Sequence, residues 1–321
     1  MAQATRTPAL PSGSDVAAGG LSPQGEVWRQ LRRDRLASAG LVVLALLVVI
    51  ALGGKLLTEW VVVFDPTLVR LPEKLLPPLA AARPDGLPAE LAPPLGVYLL
   101  GTDDLGRDVF ARMLQGSFVS LSIGFVAVSI ELAIGLLLGG LAGFYGGRVD
   151  ALIMRLTDVM LCFPTFFLIL TVVALLPPSI WNIMIVIGVT SWMSTCRFVR
   201  AELMALRDQD FVRAARALGL SDARVIFRHM IPNAIAPVLV SATIAVAGAI
   251  LTESALSYLG FGVQPPNASW GNILADGRPF LFDAPWLFVV PGVAILVVVL
   301  SFNLVGEGLR DALNPRLRRV R

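Results

Sequence analysis

The sequence predicts an all-α membrane protein, a polytopic bundle that crosses the bilayer six times. Hydrophobic residues make up 56% of the 321, charged residues only 15%, and mean hydropathy is +0.76. A soluble domain carries roughly a quarter charged residues. The charges cluster between long apolar runs, which is the pattern of a multi-span helical protein.

A bilayer core of about 30 Å needs roughly 20 apolar residues per helix. Six segments meet or approach this, at 36–57, 117–142, 151–176, 180–197, 234–260 and 286–306. The fourth is the weakest, being short and ending in Ser194-Thr-Cys-Arg197. Residues 1–25 are polar and rich in Ala, Gly, Pro and Ser, so they predict a disordered tail. No signal peptide precedes the first apolar run, which reads as a retained anchor. The permease unit is then 26–321, with an outer loop at 58–116 and an inner loop at 198–233.

Orientation follows from the basic residues, 24 Arg against two Lys. Arg29, Arg32, Arg33 and Arg35 precede span one, seven arginines occupy 197–233, and Arg310, Arg316, Arg318, Arg319 and Arg321 close the chain. With six spans these three groups share one side. The loop 58–116 carries eight acids against five bases and takes the other. Both termini are thus expected in the cytoplasm. No basic face for nucleic acid is visible. Cys162 and Cys196 are too few for a disulfide framework and read as small buried hydrophobes.

No catalytic constellation stands out. His229 is the only histidine, without a second His or a Cys near it, and reads as a structural hydrogen-bonder. Gly53-Gly54-Lys55 lacks the spacing of a phosphate-binding loop and is followed by Leu56. The chain therefore has no nucleotide-binding motif. Three acids fall within apolar spans: Glu131, Asp158 and Glu253. Ionisable groups there are costly and often functional. Against that, Arg155 lies one turn before Asp158, and Ser254 and Ser257 follow Glu253, so pairing and hydrogen bonding are at hand.

The inner loop is more informative. Residues 198–218 read as helix, with Phe211, Ala214, Ala215 and Leu218 on one face. Gly219 suits the left-handed conformation that ends a helix. Ser221 then suits an N-cap, with Asp222 in the first turn of a second helix that Pro232 closes. Spacing alone leaves two uses for the apolar stripe: insertion into a groove on a partner, or packing on the chain's own helix ends.

Motifs add to this reading. Arg213-Ala-Ala-Arg-Ala-Leu-Gly219, followed by Ile231-Pro232, resembles the coupling (EAA) loop of ABC-importer permeases. Arg213 stands where that pattern has Glu, and His229 where it has Ile. Leu100-Gly-Thr-Asp-Asp-Leu-Gly-Arg-Asp108 is similar to the outer-loop signature of the dipeptide/oligopeptide/nickel permease group, C-type subunit. Glu253–Gly260, Pro265–Gly271 and Phe302–Asp311 are similar to that group too. Phe118 departs from it, standing where an Arg is common.

The resemblance implies a type I ABC-importer permease fold and a five-part machine in the inner membrane. A periplasmic or lipid-anchored solute-binding protein delivers peptide. This chain pairs with a homologous B-type permease, and two ATP-binding subunits hold the ATP and Mg, so no cofactor falls to this chain. Ala214, Ala215, Leu218 and Gly219 would form the docking core, with Arg213, Arg216, Ser221 and Asp222 as its polar rim. In the outer motif, Gly101, Thr102, Asp103, Asp104, Gly106, Arg107 and Asp108 would order the loop, meet the binding protein, or simply cap span two. An ion-driven secondary transporter using Glu131, Asp158 and Glu253 is the main alternative, and an intramembrane enzyme the lesser one. The first leaves the Gly219 loop and the ordered motifs unexplained, and the second would require paired catalytic residues at membrane depth, for which one histidine and scattered acids offer little.

Overall fold

The computed structural model describes residues 23–60, 64–82, 93 and 96–313. Most of the expected tail, most of the proline-rich stretch of the outer loop, and Arg316 to Arg321 lie outside them. The described residues are almost wholly helical. α1 (Pro23–Arg33) leads into α2 (Arg35–Trp60), the first span. A short outer segment follows, with a two-stranded antiparallel pair, β1 (Ala80–Ala81) against β2 (Val97–Tyr98). Then come α3 (Val109–Tyr145), α4 (Gly147–Leu161), α5 (Thr165–Leu175), α6 (Ile180–Arg207) and α7 (Asp210–Ala217). α8 (Asp222–Tyr258), α9 (Trp270–Gly277) and α10 (Trp286–Leu313) complete the bundle.

Among the described residues five helices, α2, α3, α6, α8 and α10, are long and apolar enough to cross a membrane. The third expected span is where the structure departs. Residues 151–176 are not one straight helix but part of α4 and α5, set 80° apart. Phe163-Pro164 is the cause. Proline lacks the N–H that would continue the ladder, and it pushes its predecessor out of helical backbone.

α6 looked weak only because its apolar run is short. It is the most enclosed of the spans, 61% of its apolar window being buried. Small residues admit close approach: Gly135, Gly139 and Gly143 of α3 abut Thr195, Cys196, Val199, Arg200 and Leu203 of α6. Two clusters matter below. The main core gathers Ile123, Ile183, Ile250, Trp270 and Leu287. A second, at the inner end, gathers Phe144, Val199, Leu203, Val212, Ala215, Val225, Ile226 and Met230.

The inner loop is more continuous with the bundle than expected. Residues 198–207 are the last turns of α6. Pro232 does not close a helix either, since α8 runs through it to Tyr258. A π-helical segment, Val225–Met230, precedes that proline, and Ile231 N–H bonds the Ile226 carbonyl five residues back. This wider turn shifts the hydrogen-bond register just before the residue that cannot donate.

Candidate functional site

The two motif regions lie at opposite ends of α3. At its N-terminus, Asp103 is fully buried. Its Oδ1 accepts the N–H groups of Leu105 and Arg107, each at 2.9 Å. Its Oδ2 accepts Arg107 Nε at 2.7 Å and Arg112 Nη1 at 2.6 Å. The two guanidiniums reach on to α9, where Asp276 Oδ2 accepts Arg112 Nη2 at 2.8 Å and Arg107 Nη2 at 3.4 Å. Asp104 is only peripheral, 4.0 Å from Arg107.

The surrounding turn is built to bring these groups together. Gly101 and Gly106 hold φ of +78° and +74°. A Cβ on Gly106 would fall 1.9 Å from the Arg70 carbonyl oxygen. Thr102 pairs with Asp108 across the turn, and its hydroxyl accepts Leu76 N–H at 2.8 Å and donates to the Glu73 carbonyl. Asp108 caps α3, accepting Phe110 N–H at 2.8 Å. Burial pushes the carboxyls of Asp108 and Asp104 above their ordinary range. Beneath the turn, Arg70 donates to the Tyr98 hydroxyl, which donates to Glu73. Burial and the Glu73 contact push the Tyr98 phenol up to about 12. The geometry ties these groups to one another, to Asp276 of α9 and to the first turn of α3.

At the other end, α7 stands on the inner cluster. The expected stripe splits into two faces. Val212 and Ala215 are buried against α6 and α8, so Ala215 is not open to a partner. Phe211, Ala214 and Leu218 face outward, Leu218 being 81% exposed. Gly219 has φ +73° and closes α7 as expected. Leu220 N–H bonds the Ala215 carbonyl at 3.2 Å and Gly219 N–H the Arg216 carbonyl at 2.9 Å, the paired bonds of a Schellman cap. Ser221 has the extended backbone of an N-cap, but its side chain makes no capping bond. Arg216 lies over the Phe144 ring, 4.5 Å from its centroid, which ties the loop to α3. Arg213 is exposed, 3.9 Å from Asp210. Asp222 is exposed in the first turn of α8.

The acids of the spans are placed differently from one another. Glu131 accepts Thr195 Oγ1 at 2.7 Å, bridging α3 and α6. Glu253 is fully buried among serines, with Ser257 Oγ at 2.7 Å and Ser120 Oγ at 3.5 Å. Asp158 is exposed and pairs with Arg197 rather than Arg155. Long-range packing sets that partner, whereas sequence offers only the neighbour one turn away. Cys196 is buried as expected, but Cys162 is exposed at the α4–α5 bend. His229 contributes its carbonyl, not its ring, accepting Asn233 Nδ2 at 2.6 Å. Lys55 Nζ sits 4.3 Å from the centroid of the Phe118 ring.

Sequence reasoning missed Arg70, Glu73, Tyr98, Arg112 and Asp276. Arg112 carried a signal, as a lone cation one turn inside an apolar helix. Asp276 carried none, being 164 residues from Arg112.

Residues 135–319 match the family described as binding-protein-dependent transport system inner membrane component. Residues 22–78 match the N-terminal TM domain of oligopeptide transport permease C. The chain is 39% identical over 298 residues to the dipeptide transport system permease protein DppC of Alkalihalophilus pseudofirmus, covering 93% of this chain and 91% of that one. It is 40% identical to the di/tripeptide transport system permease protein DppC of Pseudomonas aeruginosa, covering 92% and 93%. It is 36% identical to the oligopeptide transport system permease protein OppC of Bacillus subtilis, covering 93% and 92%. A solved amino acid ABC transporter superposes with a TM-score of 0.49 at 17% identity, over 66% of this chain and 95% of that one, a likeness too loose to carry weight.

Proposed function

The chain belongs to the binding-protein-dependent transport system inner membrane components, and from that membership we propose that it is the C-type permease half of an ATP-driven importer of di- or oligopeptides. Its relatives named for dipeptides and oligopeptides support the solute class. Its partners are a homologous B-type permease, two ATP-binding subunits that hold the ATP and Mg, and a solute-binding protein on the outer side. Both termini and the α7 loop face the cytoplasm, as the arginine distribution supports.

The observation that carries this reading is the split face of α7. Its inner face is packed into the bundle through Val212 and Ala215, while Phe211, Ala214 and Leu218 stand free beside Gly219. An element so built passes an external push to the spans. When the ATP-binding subunits close, α7 moves with them. Val199 and Leu203 of α6 and Val225, Ile226 and Met230 of α8 share its cluster and move too. The bundle then switches between inward- and outward-facing packing. Arg213, Arg216, Ser221 and Asp222 surround this contact as its polar rim.

The test is Leu218→Asp in the complete complex reconstituted in vesicles. ATP-dependent peptide uptake is expected to fall at least tenfold with the melting temperature unchanged. Normal uptake by this variant, or uptake driven by an ion gradient without ATP, would overturn the reading.

A further inference from the structure

Glu253 stands near the outer end of α8, far from the α7 contact. It is fully buried, and among the described residues it has no ion pair. Hydroxyls from three elements surround it: Ser120 of α3, Ser257 of α8 and Ser269, the N-cap of α9.

The chain between α8 and α9 accounts for these hydroxyls. Its buried backbone N–H groups have no ladder to join, so side chains receive them. Val263 N–H donates to Ser257 Oγ at 3.1 Å, Trp270 N–H to Ser120 Oγ at 3.2 Å, and Asn272 N–H to Ser269 Oγ at 3.2 Å. Gln115 Oε1 of α3 accepts Ala268 N–H at 2.8 Å. Each hydroxyl then has one proton left to place. Ser257 Oγ donates to Glu253 Oε1 at 2.7 Å, and Ser120 Oγ to Oε2 in a longer contact of 3.5 Å. Ser269 Oγ lies 3.5 Å from Ser257 Oγ, whose proton is committed, so Ser269 is the donor there. Three backbone donors are thus satisfied through three hydroxyls that end on one carboxyl group.

Packing leaves this hub little slack. A Cβ on Gly116 of α3 would fall 3.2 Å from the Ser269 backbone, and one on Gly271 of α9 would fall 2.7 Å from Ser254 Cα of α8. At its other end α9 is held to α3 through Arg112 and Asp276. The Glu253 hub ties it to α8 as well.

We propose that Glu253 is a positioning residue for transport: as the common acceptor of these hydroxyls it docks the α9 segment on α3 and α8, so that the outer end of the bundle follows α8 when α7 is pushed. The relay rests on the importer reading. Val225, Ile226 and Met230 of α8 share the α7 cluster, and about 35 Å of helix joins Met230 to Glu253.

The acceptor role sets the choice of variant. Glu253→Gln keeps the shape but turns one oxygen into a donor that faces a hydroxyl proton. Ser120→Ala removes the group that receives Trp270 N–H, and reads the same hub if Glu253→Gln does not assemble. Hydrogen–deuterium exchange of residues 261–273 is followed by mass spectrometry in the complete complex in nanodiscs. These amides are expected to be protected in the unaltered complex. Each variant should speed their exchange by about tenfold or more, the worth of a lost buried hydrogen bond, and should lower the peptide moved per ATP hydrolysed. Glu131→Gln alters a buried acid that bridges α3 to α6, and should leave the segment protected. Unchanged exchange in Ser120→Ala, or equal loss of protection in Glu131→Gln, overturns the docking. Faster exchange with an unchanged transport ratio overturns the relay. Absence of ATP-driven uptake by the unaltered complex counts against the importer, whereas the exchange result judges the hub alone.

Discussion

The outer knot at the start of α3 and the inner loop around Gly219 are both motif-bearing turns closed by left-handed glycines, yet they use their polar residues in opposite ways. In the knot, Asp103 is fully buried and its four hydrogen bonds all go to residues of this chain. In the loop, Arg213, Ser221 and Asp222 are exposed, and the side chains that matter most are the apolar ones left uncovered. A charged motif is therefore not by itself a docking surface. What separates the two is whether the fold has already satisfied the charges, and that shows in which measurement a substitution disturbs first.

The largest effect is expected from Asp103→Ala. It removes the buried one of the two carboxylates that the nearly buried guanidiniums share, leaving them only the part-exposed Asp276, and breaking such a buried pair costs about 3–5 kcal/mol. A steep fall in melting temperature of the purified complex is expected, with uptake lost only as folded protein is lost. A normal melting temperature would show that the knot is not structural. Asp276→Asn is milder, since that carboxylate is 34% exposed. Losing its charge-assisted bonds costs about 1.5–3 kcal/mol before discounting for solvent screening, so the low end is expected.

The two glycines sharpen the contrast because their backbones match. Gly106 has φ +74° and Gly219 φ +73°. At Gly106 a Cβ would overlap the Arg70 carbonyl, whereas at Gly219 nothing lies within 4 Å. Gly219→Ala should cost only the left-handed strain of about 1–2 kcal/mol. Gly106→Ala adds a backbone clash and should cost clearly more. Equal destabilisation of the two variants, read by denaturation of the complex, would erase the distinction between knot and loop.

How far each region was legible follows from where its partners lie in the chain. Gly219 as a helix end needed only local backbone chemistry, and the reading held. The spans followed from apolar length, except at Pro164, where a long hydropathy run outweighed a breaker that was in plain view. At Pro232 the error ran the other way: the proline was read as a stop, but a π turn accommodated it. The outer motif was readable as a turn, but its purpose was not. That required Asp276 from α9 and the Arg70–Tyr98–Glu73 chain beneath. Ala215 failed for a related reason. Helical spacing put it on one stripe with Phe211, Ala214 and Leu218, but at about 100° per residue it lies equally far, about 60°, from Val212 and from Leu218, so periodicity could not say which side packs, and in the fold it is buried with Val212.

The smallest expected effect tests the departure at Arg213, where an acid is common in similar loops. Among the described residues its only ion pair is with Asp210, at 3.9 Å between two exposed side chains. Pairs of that kind add little because water screens them and two long side chains must be held still. Arg213→Glu should therefore leave the melting temperature unmoved, even though it places like charges one turn apart near the start of α7. Stability is then set aside, and any change in the ratio of peptide moved to ATP hydrolysed reports the contact with the ATP-binding subunit alone. A rim residue in high dielectric should shift that ratio by less than about fivefold, and in a salt-dependent way. A shift as large as that of Leu218→Asp would move the centre of the docking contact from the apolar face to the rim, and the uncovered Phe211, Ala214 and Leu218 would then need another partner.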